Sequence, residues 1–231
     1  PNPTSSCIHH NVLSQNPKYD IQIIIPVYNV EKYIEDCMDS VLAQDTKYSY
    51  KVVVINDGSP DGSREKLKNY EHIPNVEIID QENKGFSGAR NTGLSYIDAK
   101  YIAFVDSDDI LPPNTVETFM KYALETDADI VAGSYKRIKN GNTIKGKTLT
   151  LNMNQNPDSL PGFCWTNIYK AKIWENLKFP ENYWYEDTIN SMIIYKMINN
   201  AVSIPDVIYL YRLNPKSISH TGITKPKAID T

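Results

Sequence analysis

Between Asp20 and Val105 short apolar runs alternate with stretches of helical periodicity, and this alternation restricts the fold more than any other feature. The runs Ile21–Val27, Lys51–Ile55, Val76–Ile79 and Tyr101–Val105 have the length and β-branched content of buried strands. Glu31–Ala43, Arg64–Tyr70 and Ala89–Ile97 read as the helices between them, and Pro113–Glu125 as a further one. In the first helix Ile34, Cys37, Met38, Val41 and Leu42 make one apolar stripe, so Cys37 reads as core rather than as a reactive thiol. Strands joined by helices of this length return through right-handed crossovers. The expectation is therefore an α/β fold, with a mostly parallel, Rossmann-like sheet and flanking helices. At 231 residues there is room for one such domain with a smaller lobe.

The pattern changes after Gly133, which divides the chain into a first half over 20–133 and a second over 134–231. Residues 1–19 are Pro-, Asn- and Ser-rich without periodicity and read as a loose arm. Ser134–Ile138, the turn Asn140-Gly141 and the run toward Leu151 predict a β-hairpin. Asn152–Gly162 is a polar loop, Asp187–Ile198 has helical character, and Val207–Tyr211 reads as a strand. Gly141-Asn-Thr-Ile-Lys-Gly-Lys-Thr148 matches the phosphate-binding P-loop spacing. That chemistry needs a strand before the loop and a helix after it, and the sequence past Thr148 is poor in helix formers, so the match is set aside.

Four segments fall at the ends of successive strands: Ile25-Pro26-Val27-Tyr28-Asn29, Asn56-Asp57-Gly58-Ser59, Asn83-Lys84-Gly85…Arg90-Asn91 and Asp106-Ser107-Asp108-Asp109. A parallel sheet collects such loops along one edge, where ligands of open α/β sheets bind. In extended chain Asp106 and Asp108 face one side, an arrangement of oxygens that suits a hard divalent cation holding a diphosphate. The plainer alternative is that Asp108 or Asp109 caps the following helix. Asp57 suits accepting from a pyrimidine imide N–H, or only a turn. Tyr28 suits stacking on a ring, or only packing, and Arg90 suits pairing with a nucleotide, or a surface ion pair.

Together these four motifs, at their spacing, resemble the family-2 glycosyltransferases of the GT-A fold, over roughly Asp20–His220 and most strongly before Pro113. The resemblance implies a nucleotide-sugar donor, often a UDP-sugar, contacted by Pro26, Tyr28, Asn29, Asp57, Asn83, Gly85, Arg90, Asp106, Ser107, Asp108 and Arg212. It implies Mn²⁺ or Mg²⁺ on Asp108 and His220. Tyr185-Glu186-Asp187 resembles the segment that supplies the general base, here Asp187, with Glu186 and Trp165 on the acceptor side. The chain departs from the pattern at Trp165-Thr-Asn-Ile-Tyr169, where Asn167 stands in place of a common lysine. That departure puts any charge contact there in doubt, and Trp165 suits either a sugar face or the core.

The expectation is an inverting transfer to a hydroxyl of a glycan or lipid-linked acceptor, in the cytoplasm or at the inner membrane face. A net charge of −4 argues against nucleic acid as partner, and no apolar run has the length of a membrane span. Three scattered cysteines argue against a disulfide framework. Two other readings fit part of the pattern: a nucleotidyltransferase that makes nucleotide sugars, and a non-catalytic sugar-binding module on the same fold.

Overall fold

The computed structural model describes residues 11–181 and 187–214. Seven strands form the main path of one sheet, in the order β10-β7-β9-β6-β2-β3-β4, with β8 paired to β7. The first-half strands are β2 (Tyr19–Val27), β3 (Tyr50–Asp57), β4 (Val76–Gln81) and β6 (Ala99–Phe104). They run parallel to one another. Strands buried on both faces read as continuous apolar runs rather than alternating ones. Ile23, Ile24 and Ile25 of β2 and Val52, Val53, Val54 and Ile55 of β3 are accordingly all buried.

The second half joins the same sheet. β7 (Ile130–Lys139) lies parallel to β10 (Ala201–Arg212), and β9 (Asn167–Lys170) runs antiparallel between β7 and β6. β7 passes straight through Gly133, where the sequence pattern changes, so the two halves share this strand. β7 turns at Asn140-Gly141, with φ of 49° and 76°, and pairs antiparallel with β8 (Asn142–Lys147). The P-loop look-alike is therefore a hairpin. Its Gly146 is required because a β-carbon there would overlap the Tyr135 carbonyl where the register of β7 shifts.

The helices are α1 (Ile34–Leu42), α2 (Ser63–Leu67), α3 (Gly85–Leu94) and α4 (Thr115–Thr126). Two expectations need correction. The helix expected over Ala89–Ile97 begins earlier and stops at Leu94, because Tyr96–Ile97 (β5) pairs parallel with Val12–Leu13 (β1). The loose arm expected over 1–19 is anchored from Asn11 onward. Asn11 is buried and its amide donates to the carbonyls of Trp174 and Leu177 at 2.5 and 2.8 Å. Residues 1–10, and with them Cys7, His9 and His10, lie outside the described residues.

α3 lies close on β2 and β3. A β-carbon at Gly93 would sit 2.5 Å from Ile24 Cγ2 and 3.0 Å from Ile55 Cδ1, both in the fully buried core. Since α3 carries Arg90, this contact sets the depth of the functional edge. Gly93→Ala should lower unfolding free energy in urea by about 1–3 kcal/mol, the usual cost of overpacking, with the m-value unchanged. A variant as stable as the parent would show that α3 has room to shift.

Candidate active site

The ends of β2, β3 and β6 all open on one edge of the sheet, and the four loops meet there. The first two loops are tied together: the Val30 amide donates to Ser63 Oγ at 3.0 Å and the Glu31 amide to Asp61 Oδ2 at 2.9 Å. This leaves Tyr28 48% exposed beside Asn29, whose φ is 55°. Pro26, one step earlier, is paired within β2 against Ile55. Asp57 is buried at the end of β3. Its Oδ1 accepts from Gln81 Nε2 at 2.6 Å and from the Lys84 amide at 2.8 Å, while its buried Oδ2 has no hydrogen-bond partner among the described residues. Asn83 Oδ1 accepts from the Gly85 amide at 3.1 Å, and Gly85, at φ 74°, starts α3.

The carboxylate loop differs from the extended chain expected of it. The Asp109 amide donates to the Asp106 carbonyl at 3.0 Å, so residues 106–109 form a turn. Neither Asp108 nor Asp109 caps the next helix, which follows Asn114. Asp106 Oδ1 instead accepts from Arg90 Nη2 at 2.7 Å. Ser107 is buried beneath the turn. Asp108 Oδ2 accepts from Asn214 Nδ2 at 3.1 Å. Burial, then the charge of Asp106, raises the pKa of Asp108. Asp109 is fully buried, and burial with its two acidic neighbours pushes its pKa well above the ordinary range.

β10 clamps this loop from the other side of the chain. Ile110 bridges Leu210, the Arg212 amide donates to Asp109 Oδ1 at 2.6 Å, and Tyr209 Oη accepts from the Asp106 amide at 3.0 Å. Arg212, expected to steady a diphosphate, is occupied within the fold. Its Nε donates to the Asp108 carbonyl at 2.8 Å, its Nη2 to Asp36 Oδ2 at 3.0 Å, and its guanidinium lies 5.1 Å from the Tyr33 ring centre.

Arg90 also differs from expectation. Its side chain is 5% exposed, and the guanidinium lies 5.8 Å from the Phe86 ring centre and 5.4 Å from that of Phe179. It pairs with Asp106 inside the protein rather than presenting its charge at the surface. It also acts on Asp187. Burial raises the pKa of Asp187, the charge of Arg90 opposes that rise, and Asp106 adds to it. Asp106, Arg90 and Asp187 thus form one electrostatic unit. Asn91, the next residue, holds the segment before Asp187: it exchanges hydrogen bonds with the Phe179 backbone at 2.8 and 3.0 Å and donates to Glu181 at 2.9 Å.

Asp187 is fixed from a second direction. The Cys164 amide donates to its Oδ1 at 3.4 Å. Asn167, where the lysine of the resembling pattern is missing, is buried and donates to the Phe163 carbonyl and to the hydroxyls of Tyr169 and Tyr195. Tyr169 donates in turn to Asn190, and Asn190 to the Gly162 carbonyl, each at 2.8 Å. This neutral network joins β9 to the helical segment Asn190–Met197 that follows Asp187, and no motif reading pointed to it. Trp165 resolves mainly as core: it is 8% exposed, stacked on Phe163 at 4.9 Å, Tyr209 at 4.6 Å and Tyr211 at 5.5 Å. Glu186 and His220 lie outside the described residues.

Among the described residues no three His, Cys, Asp or Glu side chains are grouped to hold a metal ion. The chemistry of the loop nevertheless fits a divalent cation. Burial first, and then the charge of Asp106, raises the pKa of Asp108, and a bound cation would offset the repulsion between the two carboxylates.

The model of the family described as Glycosyl transferase family 2 matches residues 22–196. Among curated proteins, the chain is 33% identical over 224 residues to the glycosyltransferase GlyA of Streptococcus pneumoniae, covering 89% of this chain and 32% of GlyA. It is 31% identical over 205 residues to WfgD of Escherichia coli, a UDP-Glc:alpha-D-GlcNAc-diphosphoundecaprenol beta-1,3-glucosyltransferase, covering 87% of this chain and 80% of WfgD. The crystal structure of Staphylococcus aureus TarS 1-349 in complex with UDP-GlcNAc superposes with a TM-score of 0.76 at 23% identity, over 86% of this chain and 60% of that one. The chain spans 32% and 62% of the length of GlyA and of a second such relative.

The Arg90–Asp106 pair is the contact on which this geometry turns. Asp106→Asn keeps the shape but removes the charge facing a buried guanidinium. Urea unfolding should show a loss of about 1.5–3 kcal/mol, the range for hydrogen bonds to charged groups. A change of only a few tenths would mean that solvent already screens the pair.

Proposed function

The chain belongs to glycosyltransferase family 2, and on that premise we propose that it transfers a sugar from a UDP-sugar to a hydroxyl of a glycan or lipid-linked acceptor, with inversion. The observation that carries this reading is the convergence of the Asp106–Asp109 turn and Asp187 on buried Arg90, at the ligand-binding edge of a parallel sheet. The UDP-GlcNAc complex of TarS supports the donor class, and the activity named for WfgD supports an acceptor that is lipid-linked.

In this reading the donor's uracil lies between exposed Tyr28 and the Asp57 loop. The buried Oδ2 of Asp57, without a hydrogen-bond partner among the described residues, is the acceptor that a ring imide N–H would satisfy once the 81–85 segment yields to it. Asp106, held by Arg90, faces the ribose and diphosphate. Asp106 and Asp108 would hold Mn²⁺ or Mg²⁺, with His220 as a further ligand. When bound, the cation would neutralise charge growing on the diphosphate leaving group. Asp187 takes the proton from the acceptor hydroxyl as that oxygen attacks C1 of the donor sugar. The charge of Arg90 opposes the rise that burial imposes on Asp187 and so favours the ionised form that a base requires. Among the described residues no helix is long and apolar enough to cross a membrane. The proposed reaction takes place in the cytoplasm or at the inner membrane face.

Two measurements test the reading. Asp187→Asn should leave UDP affinity intact and lower transfer roughly 10²–10⁴-fold, the share of a general base. Near-parental turnover would move the base elsewhere, Glu186 being next in line. The acid limb of kcat should also lie above the ordinary carboxylate range. Burial raises the pKa of Asp187, and transfer stops as falling pH protonates it. For the donor site, Asp108→Ala should weaken UDP binding in Mn²⁺ and remove most of its metal dependence. Equal affinity of the parent protein for UDP in Mn²⁺ and in chelator, by calorimetry, would contradict the metal assignment. Pyrophosphate release from UTP and a sugar phosphate would instead identify a nucleotidyltransferase.

A further inference from the structure

The hairpin β7–β8 carries a charge pattern opposite to that of the chain. Lys136, Arg137, Lys139, Lys145 and Lys147 lie within twelve residues that contain no Asp or Glu, although the whole chain has a net charge of −4. All five are exposed. None makes an ion pair among the described residues, whereas Lys51, Lys66, Lys100, Lys170 and Lys196 each do. Five cations on one two-stranded ribbon repel one another, and no ion pair among the described residues offsets that repulsion.

The ribbon is also placed at the functional edge. Ile138 of β7 is in register with Arg212 of β10, and the Leu213 amide donates to the Ile138 carbonyl at 2.9 Å. Arg212 in turn bonds the Asp108 carbonyl at 2.8 Å. The hairpin tip therefore projects from the same edge of the sheet as the carboxylate turn.

From this placement we infer that the β7–β8 hairpin is a docking surface for an anionic lipid bilayer, which it holds beside the mouth of the active site. Three features select this occupant. The cations occupy both strands over roughly 15–20 Å of ribbon, so they suit a plane of many headgroups better than one phosphate. Ile144 sits among them, directly opposite Arg137 and 42% exposed, an apolar side chain that a bilayer interface accepts and a soluble polyanion leaves in water. No aromatic residue interleaves the cations from Lys136 to Lys147, so the stacking platform expected of a single-stranded nucleic-acid surface is missing.

This inference stands apart from the reaction and is tested without it. The 231-residue chain is sedimented with vesicles of phosphatidylcholine alone, and with vesicles containing about one-third phosphatidylglycerol. Binding should require the anionic lipid and weaken with salt. Each lysine near such a surface is worth about 1 kcal/mol, so the double variant Lys145→Gln, Lys147→Gln should bind roughly 30-fold more weakly. Ile144→Ser should lose the part of binding that survives high salt. Both variants should keep the parental thermal unfolding temperature and UDP affinity, which separates loss of docking from failure of the fold or of the donor site. Equal binding to neutral and anionic vesicles would overturn the inference, as would no binding to either or unchanged binding by the double variant. Capture by heparin with no vesicle binding would overturn it too, and would assign the ribbon to a polyanionic glycan.

Discussion

A guanidinium with only 5% of its side chain exposed is stable only where an anion meets it, and among the described residues Asp106 is ion-paired with Arg90. The surroundings follow from this constraint. Phe86 and Phe179 exclude water from Arg90, which strengthens its hold on Asp106 and extends its field to Asp187. Arg90 sits on α3, and α3 can lie that deep only because Gly93 lets it approach Ile24 and Ile55. Asn91 then fixes the segment that leads to Asp187. Arg90 thus links the carboxylate turn to Asp187 from inside the protein.

The second support is long-range. β10 arrives a hundred residues after the carboxylate turn and bonds it through Leu210, Arg212 and Tyr209. Strand β10 is parallel to β7, and the antiparallel β9 fills the place between β7 and β6. The second half of the chain therefore completes the sheet whose edge carries the carboxylate turn, and through the hairpin of β7 it continues that edge outward.

The first half was legible because its physics is local. Apolar runs buried on both faces and the stripe of α1 each signal their own structure within a few residues, as the Asn140-Gly141 turn does in the second half. The short β1–β5 pair was missed because it joins two-residue strands more than eighty positions apart, with no periodicity to announce it. At the site, sequence placed Tyr28, Asp57, Asp106, Asp108 and Asp187 at loops or helix starts, but not the directions of their side chains. Asp106 and Asp108 were expected to share a face in extended chain, whereas a turn separates them. Arg90 was read as pairing with a nucleotide or in a surface ion pair, and Arg212 as steadying a diphosphate; Arg90 pairs with Asp106 inside the protein, and Arg212 reaches Asp36 from the far end of the sequence. The Asn167 network was visible only as the absence of a lysine. Its role depends on Tyr169, Tyr195 and Asn190 meeting in space, which no spacing rule encodes.

The central claim is that Asp187 and the carboxylate turn, joined by Arg90, carry out a single displacement at the donor's anomeric carbon. The most direct measurement is the configuration of the first product, followed by proton NMR as the protein turns over an α-linked UDP-sugar in Mn²⁺ with water as acceptor. The account predicts that the β-anomer appears first and mutarotates afterward, because attack comes from the face opposite the leaving diphosphate. Initial release of the α-anomer would contradict it, since retention needs a second displacement for which this site provides no assigned nucleophile.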